Sequence, residues 1–273
     1  MPLRVMTWNL WWHFGPWRAR AGAILDTIRD ADPDVVCLQE VFSDATHDQG
    51  EELATELGFH VVRTEPVLHR GVSFGNAVLA RWPVVRLADE RLPRADGTPG
   101  HRRAVVAGVD TPHGRWPIAS THLEHRFDRS ADRCAQVRRV MELARDLRGD
   151  PERDLPVVVG GDLNAVPDTD EIRLATGRTA GVDGIVMSDA WEQVGDGDGR
   201  TWLRENPYSC DSAWPDRRID YVLVSWPRPK PVGNPISARL VGRPVGDGVW
   251  PSDHLAVVVE LVTPADGTAE PPA

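Results

Sequence analysis

The chain has 273 residues, 41% of them hydrophobic and 26% charged, which is the balance of a globular protein and excludes a disordered or fibrous one. Its formal net charge is −10. Nonspecific attachment to duplex DNA needs cations that displace counterions, so this composition excludes a general DNA-coating protein and leaves room only for a local basic groove. Lys230 is the sole lysine and sits between Pro229 and Pro231, which removes P-loop and Schiff-base chemistry, since both need a positioned amine.

In chain order, residues 3–8 read as a strand that starts almost at the terminus. Residues 1–12 are apolar, but Arg4 and Asn9 interrupt them and no small-residue cleavage site follows. No run approaches the ~18 apolar residues of a membrane span, so the expectation is a cytoplasmic protein without stable membrane insertion. A helix over 17–30 places Ala21, Ile24, Leu25 and Ile28 on one face and stops at Asp32-Pro33. Residues 35–38 form a fully apolar run, as in a strand buried on both faces. Runs 76–80, 104–109 and 116–121 are β-prone and separated by Gly, Pro and Asp. A second helix begins at Ser130, carries Cys134, Val137, Met141, Ala144 and Leu147 at helical spacing, and ends at Gly149-Asp150-Pro151. Strands over 155–159, 218–224 and 255–261 complete the set. Gly195 to Gly199 lacks the spaced ligands and closing glutamate of an EF-hand and reads as a turn.

The alternation of strands and helices favours a layered α/β fold, one domain over 1–263 followed by a polar, Pro-rich tail over 264–273. Cys37, Cys134 and Cys210 are far apart and form no CxxC, which excludes a zinc ribbon or thioredoxin-type site. Cys37 and Cys134 fall on apolar faces and are expected to be buried small hydrophobes.

Polar residues collect at the ends of the apolar strands, where α/β folds place their sites. Asn9 follows the first, Gln39-Glu40 the second, His122 ends another, and Asp162 and Asn164 follow Val157 to Gly161. Asp220 lies within an apolar strand and Asp253-His254 precede the last one. A carboxylate in such a place is costly unless it is paired, hydrogen-bonded or bound to a cation. Singly, each residue also suits a turn, a solvated strand end or a satisfied histidine.

Together, Trp8-Asn9, Leu38-Gln39-Glu40, Thr121-His122-Leu123, Gly161-Asp162-Leu163-Asn164, Arg218-Ile219-Asp220-Tyr221-Val222 and Ser252-Asp253-His254 occur in an order that resembles the endonuclease/exonuclease/phosphatase superfamily, the fold of deoxyribonuclease I. The resemblance implies a four-layered α/β sandwich, two mixed β-sheets packed face to face with helices outside. It also implies a divalent-metal-dependent phosphodiester hydrolase, foremost a nuclease. A lipid (sphingomyelinase-like) or small-molecule phosphodiesterase or phosphatase is the alternative, and a non-catalytic binding protein on the same fold is the alternative of another class.

The resemblance further implies roles. Glu40 would be the main ligand of Mg²⁺, with Mn²⁺ as a substitute, and Asn9 and Asp253 would stand beside the ion. Asp162 would align and deprotonate the attacking water, Asn164 would hold that water or a phosphoryl oxygen, and His254 would contact the phosphate, held by Asp220. His122 would protonate the leaving oxygen or neutralise phosphoryl charge. No carboxylate partner for it is evident, so Asn76 is the candidate to orient its ring, while Glu124 is read as reaching solvent.

Leu10-Trp11-Trp12 departs from the turn of abasic-site endonucleases, and Arg218-Ile219-Asp220-Tyr221 from the version in inositol polyphosphate phosphatases. Two features bear on substrate. Trp11, Trp12, His13, Phe14 and Trp17 suit stacking on bases, cover for a lipid head group, or plain packing. Arg102-Arg103 suits either a phosphate clamp or an exposed structural role. The expected partner is a phosphodiester substrate, nucleic acid included, bound by a monomer with no protein partner.

Overall fold

The computed structural model describes residues 1–66, 68–69, 71–244 and 248–264. Thirteen strands and five helices alternate along these residues: β1 (Leu3–Asn9), α1 (Trp17–Ala31), β2 (Val35–Ser43), α2 (Gln49–Leu57), β3 (His60–Arg63), β4 (Leu68–His69), β5 (Val72–Ala80), β6 (Val84–Pro93), β7 (Pro99–Thr111), β8 (Gly114–His122), α3 (Ser130–Leu147), β9 (Val158–Asp162), α4 (Asp170–Ala175), β10 (Val186–Asp189), α5 (Ala190–Val194), β11 (Asp220–Trp226), β12 (Pro235–Val241) and β13 (Ala256–Leu261). Apart from Pro264, the expected tail lies outside the described residues.

The strands form two mixed sheets. The first has the order β12-β13-β1-β2-β5-β3, with β4 also on β5; the second runs β10-β11-β9-β8-β7-β6. Each contains one parallel pair, β1 with β2 and β8 with β9, among antiparallel neighbours. The layering follows from the two-residue period of the strands. In β1, Val5 faces the other sheet and joins Cys37, Val78, Val105, Ile118, Val158 and Val222 in the central core. Its neighbour Met6 faces outward, against Ile24 and Ile28 of α1 and Leu53 of α2. On the far side, Val106, Ala119 and Val159 pack under Val137, Val140 and Met141 of α3. The result is the expected helix, sheet, sheet, helix sandwich.

The sheets approach closely where β2 faces β9. A Cβ on Gly160 would meet Cys37 Cβ at 2.7 Å, and one on Gly161 would meet the Thr121 carbonyl oxygen at 2.5 Å. The glycine pair thus lets β9 slide in against both neighbours just before Asp162. Cys37 is fully buried, as expected, whereas Cys134 is only half-buried and Cys210 is exposed.

Several boundaries differ from those read in the sequence. β2 continues past the apolar run to Ser43 after a register shift between Leu38 and Val41, and β7 is more than twice the length expected. Residues 155–157 precede β9 rather than opening it. β6 and β12 are edge strands with many exposed residues, so neither shows an apolar run or a clean alternation.

Candidate active site

The registers gather the strand-end residues at one rim of the sandwich. Asn9 is paired with Gln39 across β1 and β2, His122 with Asp162 across β8 and β9, and Asp220 with Asp162 across β11 and β9. The turn before β13 returns to the same rim. Ser252 Oγ donates to the Asn9 carbonyl (2.6 Å), and Trp8 Nε1 donates to the His254 carbonyl (3.0 Å).

Asp162 is the hub. Its Oδ2 accepts from Asn9 Nδ2 (2.9 Å) and lies 3.4 Å from His122 Nε2 and 3.8 Å from His254 Nε2. Its Oδ1 accepts from the Asn164 backbone N–H (2.9 Å), and Asn164, with φ at 49°, gives its side-chain amide to the Leu123 carbonyl. Burial, and then the neighbouring Asp220 carboxylate, push the Asp162 pKa up. Asn9 is committed to this hub, since its Oδ1 accepts from the Trp11 N–H (2.9 Å). Among the described residues no hydrogen bond joins Asn9 to Glu40.

The Asp220–His254 pair forms as expected, with His254 Nδ1 2.8 Å from Asp220 Oδ2. That same oxygen accepts from Thr201 Oγ1 (2.5 Å), a partner no sequence motif marked. Burial opposes charge on His254, but the Asp220, Asp253 and Asp162 carboxylates outweigh it and raise its pKa well above that of free histidine. Asp253, beside it, is pushed up by burial.

Glu40 differs from all of these. It sits in the β2 register shift with φ at 54°, a left-handed conformation that costs a non-glycine residue of order 1–3 kcal/mol and persists only where the surroundings impose it. Its Oε2 is buried with no hydrogen-bond partner. Burial, followed by the Asp253 charge, pushes its pKa up to about 7. An orphaned carboxylate oxygen close to the Asp253 and Asp162 carboxylates fits a hard divalent cation. Asp162, Asp220 and His254 also bring ligand atoms within 4.8 Å of one another, joined by one hydrogen bond, His254 to Asp220. Unpaired buried carboxylate oxygens stand at both places, Asp220 Oδ1 and Glu40 Oε2, and only Glu40 of the two combines this with a left-handed backbone.

Two expectations around His122 need correction. The Asn76 side-chain amide donates to the Arg103 carbonyl (2.8 Å), because β5 lies across from β7 there, and so it does not orient the ring. Glu124 is buried rather than solvent-directed, accepting from the Arg126 N–H (3.2 Å) and lying 3.2 Å from His125 Nδ1. The ring's partner is Arg102, whose Nη1 is 3.0 Å from Nδ1. Arg102 is buried, and Arg103 binds Asp89, so neither is the exposed structural arginine weighed earlier. Burial, then the Arg102 charge, hold the His122 pKa well below its ordinary value.

Aromatic groups wall the rim. Trp11 stacks on Tyr208 (4.4 Å between centroids), and Trp12 Nε1 donates to the Ser73 carbonyl. Both tryptophans have positive φ and are clamped by Arg20, which is fully buried and donates to the carbonyls of Leu10, Trp11, Trp12, Phe14 and Pro251. On another side Arg217 lies between Trp202 (4.6 Å) and Phe127 (4.7 Å), and Phe127 stacks on exposed Trp214 at 4.0 Å.

The sequence matches the Endonuclease/Exonuclease/phosphatase family over residues 6–254, a span that contains every residue of this rim. The chain belongs to that family. That family comprises endonucleases, exonucleases and phosphatases, which are hydrolases. Solved structures agree on the fold. An endonuclease/exonuclease/phosphatase from Beutenbergia cavernae is 28% identical, with a TM-score of 0.68 over 96% of this chain and 72% of that one. The human Nocturnin catalytic domain with bound sulfate is 22% identical, TM-score 0.73, over 96% and 95%. D. rerio TDP2 complexed with a single-strand DNA product is 22% identical, TM-score 0.73, over 96% and 99%. Protein angel of Drosophila melanogaster is 25% identical over 227 residues, 78% of this chain, and the match spans 60% of that protein's length.

Proposed function

We propose that this family member is a Mg²⁺-dependent phosphodiesterase acting on short or single-stranded nucleic acid, with Mn²⁺ as an alternative ion. The observation that carries the reading is the orphaned Glu40 carboxylate beside the Asp162 hub and the Asp220-backed His254. Glu40, with Asp253 beside it, would hold the ion. Once bound, it would supply positive charge against a phosphoryl oxygen. Asp162 is the base: its raised pKa brings it nearer neutrality, where a carboxylate takes a proton from water more effectively. Asn9 and the Asn164 N–H fix its orientation and leave it no freedom to turn away. His254, kept cationic by three carboxylates, offers Nε2 to the phosphoryl group, and Asp220 with Thr201 sets its ring.

A nucleic-acid substrate is favoured by the aromatic walls, because every base has a face that can stack on Trp214 or Trp11. The net charge of −10 argues against a long duplex footprint. The test is a comparison of initial rates on a short single strand, a long duplex, a phospholipid head-group diester and a phosphomonoester, with Mg²⁺, at about 50 and 200 mM salt. The single strand should be preferred, with a modest fall in rate at high salt. A protein with six to ten phosphate contacts would lose ~10³–10⁵ in affinity over that range. Preference for the duplex with a steep salt dependence, or for the phospholipid diester, would replace the substrate assignment. Trp214→Ala should raise KM for the single strand about tenfold, in the range of one lost stacking contact, and leave a small aryl diester unaffected.

A further inference from the structure

His122 and His254 flank the same Asp162 oxygen, yet what stands behind each ring is opposite in charge. His254 Nδ1 faces the Asp220 carboxylate at 2.8 Å, which has no hydrogen to give, so Nδ1 carries the proton. His122 Nδ1 faces Arg102 Nη1 at 3.0 Å. A guanidinium has five N–H donors and no lone pair, and it does not deprotonate in proteins, so this contact is a hydrogen bond only if Nδ1 accepts. The one carboxylate oxygen near that nitrogen, Glu40 Oε1, is 3.9 Å away, beyond hydrogen-bonding distance.

Arg102 is in turn held firmly. It is buried, its Nη2 lies 2.9 Å from His125 Nδ1, and its guanidinium carbon stands 5.7 Å from the Phe74 ring centroid, the same ring that packs beside His122 at 5.7 Å. His122 itself is 2% exposed, so water does not compete for Nδ1.

We infer that Arg102 is a positioning residue that fixes His122 as the neutral Nε2–H tautomer, so that His122 donates a hydrogen bond to the phosphoryl group and does not protonate the leaving oxygen. Of the two roles that the sequence leaves open for His122, this selects charge stabilisation. A ring whose second nitrogen is occupied by a guanidinium has no spare proton to hand over. A fixed N–H dipole aimed at a site where negative charge develops stabilises it without reorganising. The inference deepens the proposed phosphodiesterase reading and rests on it for the word phosphoryl. The tautomer itself does not depend on that reading.

Long-range ¹H–¹⁵N correlation on uniformly labelled protein reads the tautomer directly. The His122 Nε2 should appear as the protonated nitrogen and Nδ1 as the bare one. Arg102→Met, which removes the donor, should release His122 to a mixture of forms and lower kcat about 10- to 100-fold with little change in KM. Arg102→Lys keeps a donor and should restore the tautomer and part of the rate. His122→Gln, which offers an amide N–H but carries no transferable proton, should retain more activity than His122→Ala.

The decisive kinetic arm uses a series of aryl phosphodiesters with leaving phenols of increasing pKa. A donor to the phosphoryl group matters equally for all of them, so the dependence on leaving-group pKa should match between the parent, Arg102→Met and His122→Gln. A leaving-group acid matters most for the poorest leaving group, so a steeper dependence in His122→Gln would overturn the inference. So would an Nδ1–H form in the parent, or an unchanged tautomer in Arg102→Met. Should the parent hydrolyse no phosphodiester with Mg²⁺ or Mn²⁺, the functional reading fails, and the tautomer measurement still stands or falls alone.

Discussion

The two halves of the reactive rim are built on different terms. Around Asp162, Asp220 and His254 nearly every polar atom is matched: the carboxylates accept from Asn9, Asn164 and Thr201, and the imidazole is locked to Asp220. Asp162 and Asp220 sit at the regularly paired ends of β9 and β11, and His254 in the turn before β13. Glu40 instead occupies a kinked, left-handed position in a broken register, has a carboxylate oxygen with no partner, and feels the Asp253 charge. One half is largely satisfied within the protein, Asp220 Oδ1 excepted. The other carries backbone strain and a buried charge that an ion would relieve, and the proposed division into a proton-handling centre and a metal seat rests on that difference.

The largest expected effect lies in the Asp162 half. Asp162→Asn keeps the shape of the hub but removes its basicity, and the rate should fall on the order of 10²–10⁴-fold, a usual range for losing a general base. Steady-state kinetics at saturating Mg²⁺ measure this. A loss that more Mg²⁺ repairs would move Asp162 to the metal side and break the division.

Next is the Asp220–His254 pair. If it acts as one unit, each single change should cost a similar factor, on the order of 10²–10⁴, and the double change little more than either. Losses that multiply would mean the 2.8 Å contact does not couple their functions.

How much of this division the sequence reveals depends on the kind of signal. Asp220 is legible because a carboxylate among Ile219, Tyr221 and Val222 has no bland explanation in an apolar strand. The ordered motifs around it fix the family and, through it, the layered sheets. What stays hidden is relational. The break in register that turns Glu40 depends on β5 pairing, between Leu38 with Ala77 and Val41 with Gly75, and no local pattern announces it. Arg20 and Arg102 are inconspicuous in a chain with one lysine, where arginine is everywhere and only their buried contacts reveal what they hold. Thr201 reaches Asp220 from a loop 19 residues away. Edge strands β6 and β12 are hidden because their exposed residues break the apolar pattern.

A more moderate effect is expected in the Glu40 half. Glu40→Gln retains an amide oxygen but loses the charge, so the Mg²⁺ concentration for half-maximal rate should rise by about tenfold or more, with much of kcat recovered at high Mg²⁺. Each 1.4 kcal/mol lost from cation binding corresponds to a factor of ten. Titration of activity with Mg²⁺ measures it. A variant that titrates like the parent would show that the orphaned oxygen is not the metal seat.

The smallest effect is on stability, and its sign tests the origin of the strain. Glu40 has a folded-state pKa of about 7 against an ordinary value of 4.5. Folding therefore favours its protonated form, so its contribution is fully present below about pH 4.5 and is lost as pH rises through 7. Its side chain is 15% exposed, so solvent screens the charge little, and a shift of this size corresponds to a few kcal/mol. With metal removed by a chelator, the Glu40 contribution to Tm should fall by several degrees between pH 5 and pH 8, at about 2–4 °C per kcal/mol for a chain near this size. Asp162 and Asp253, whose pKa values are also raised by burial, add to the same slope. Glu40→Gln removes the titrating group while keeping the volume, so its Tm should fall less over that interval and exceed the parent's at pH 8. Added Mg²⁺ should raise the parent's Tm strongly at pH 8 and weakly at pH 5, where a proton must first leave Glu40. His122, held low by burial, contributes with the opposite sign in both proteins, so the difference between them is the reading. A Glu40→Gln variant whose Tm changes with pH just as the chelated parent's does would mean that the unpaired charge is not where the protein stores its strain, and the contrast between the two halves would lose its energetic basis.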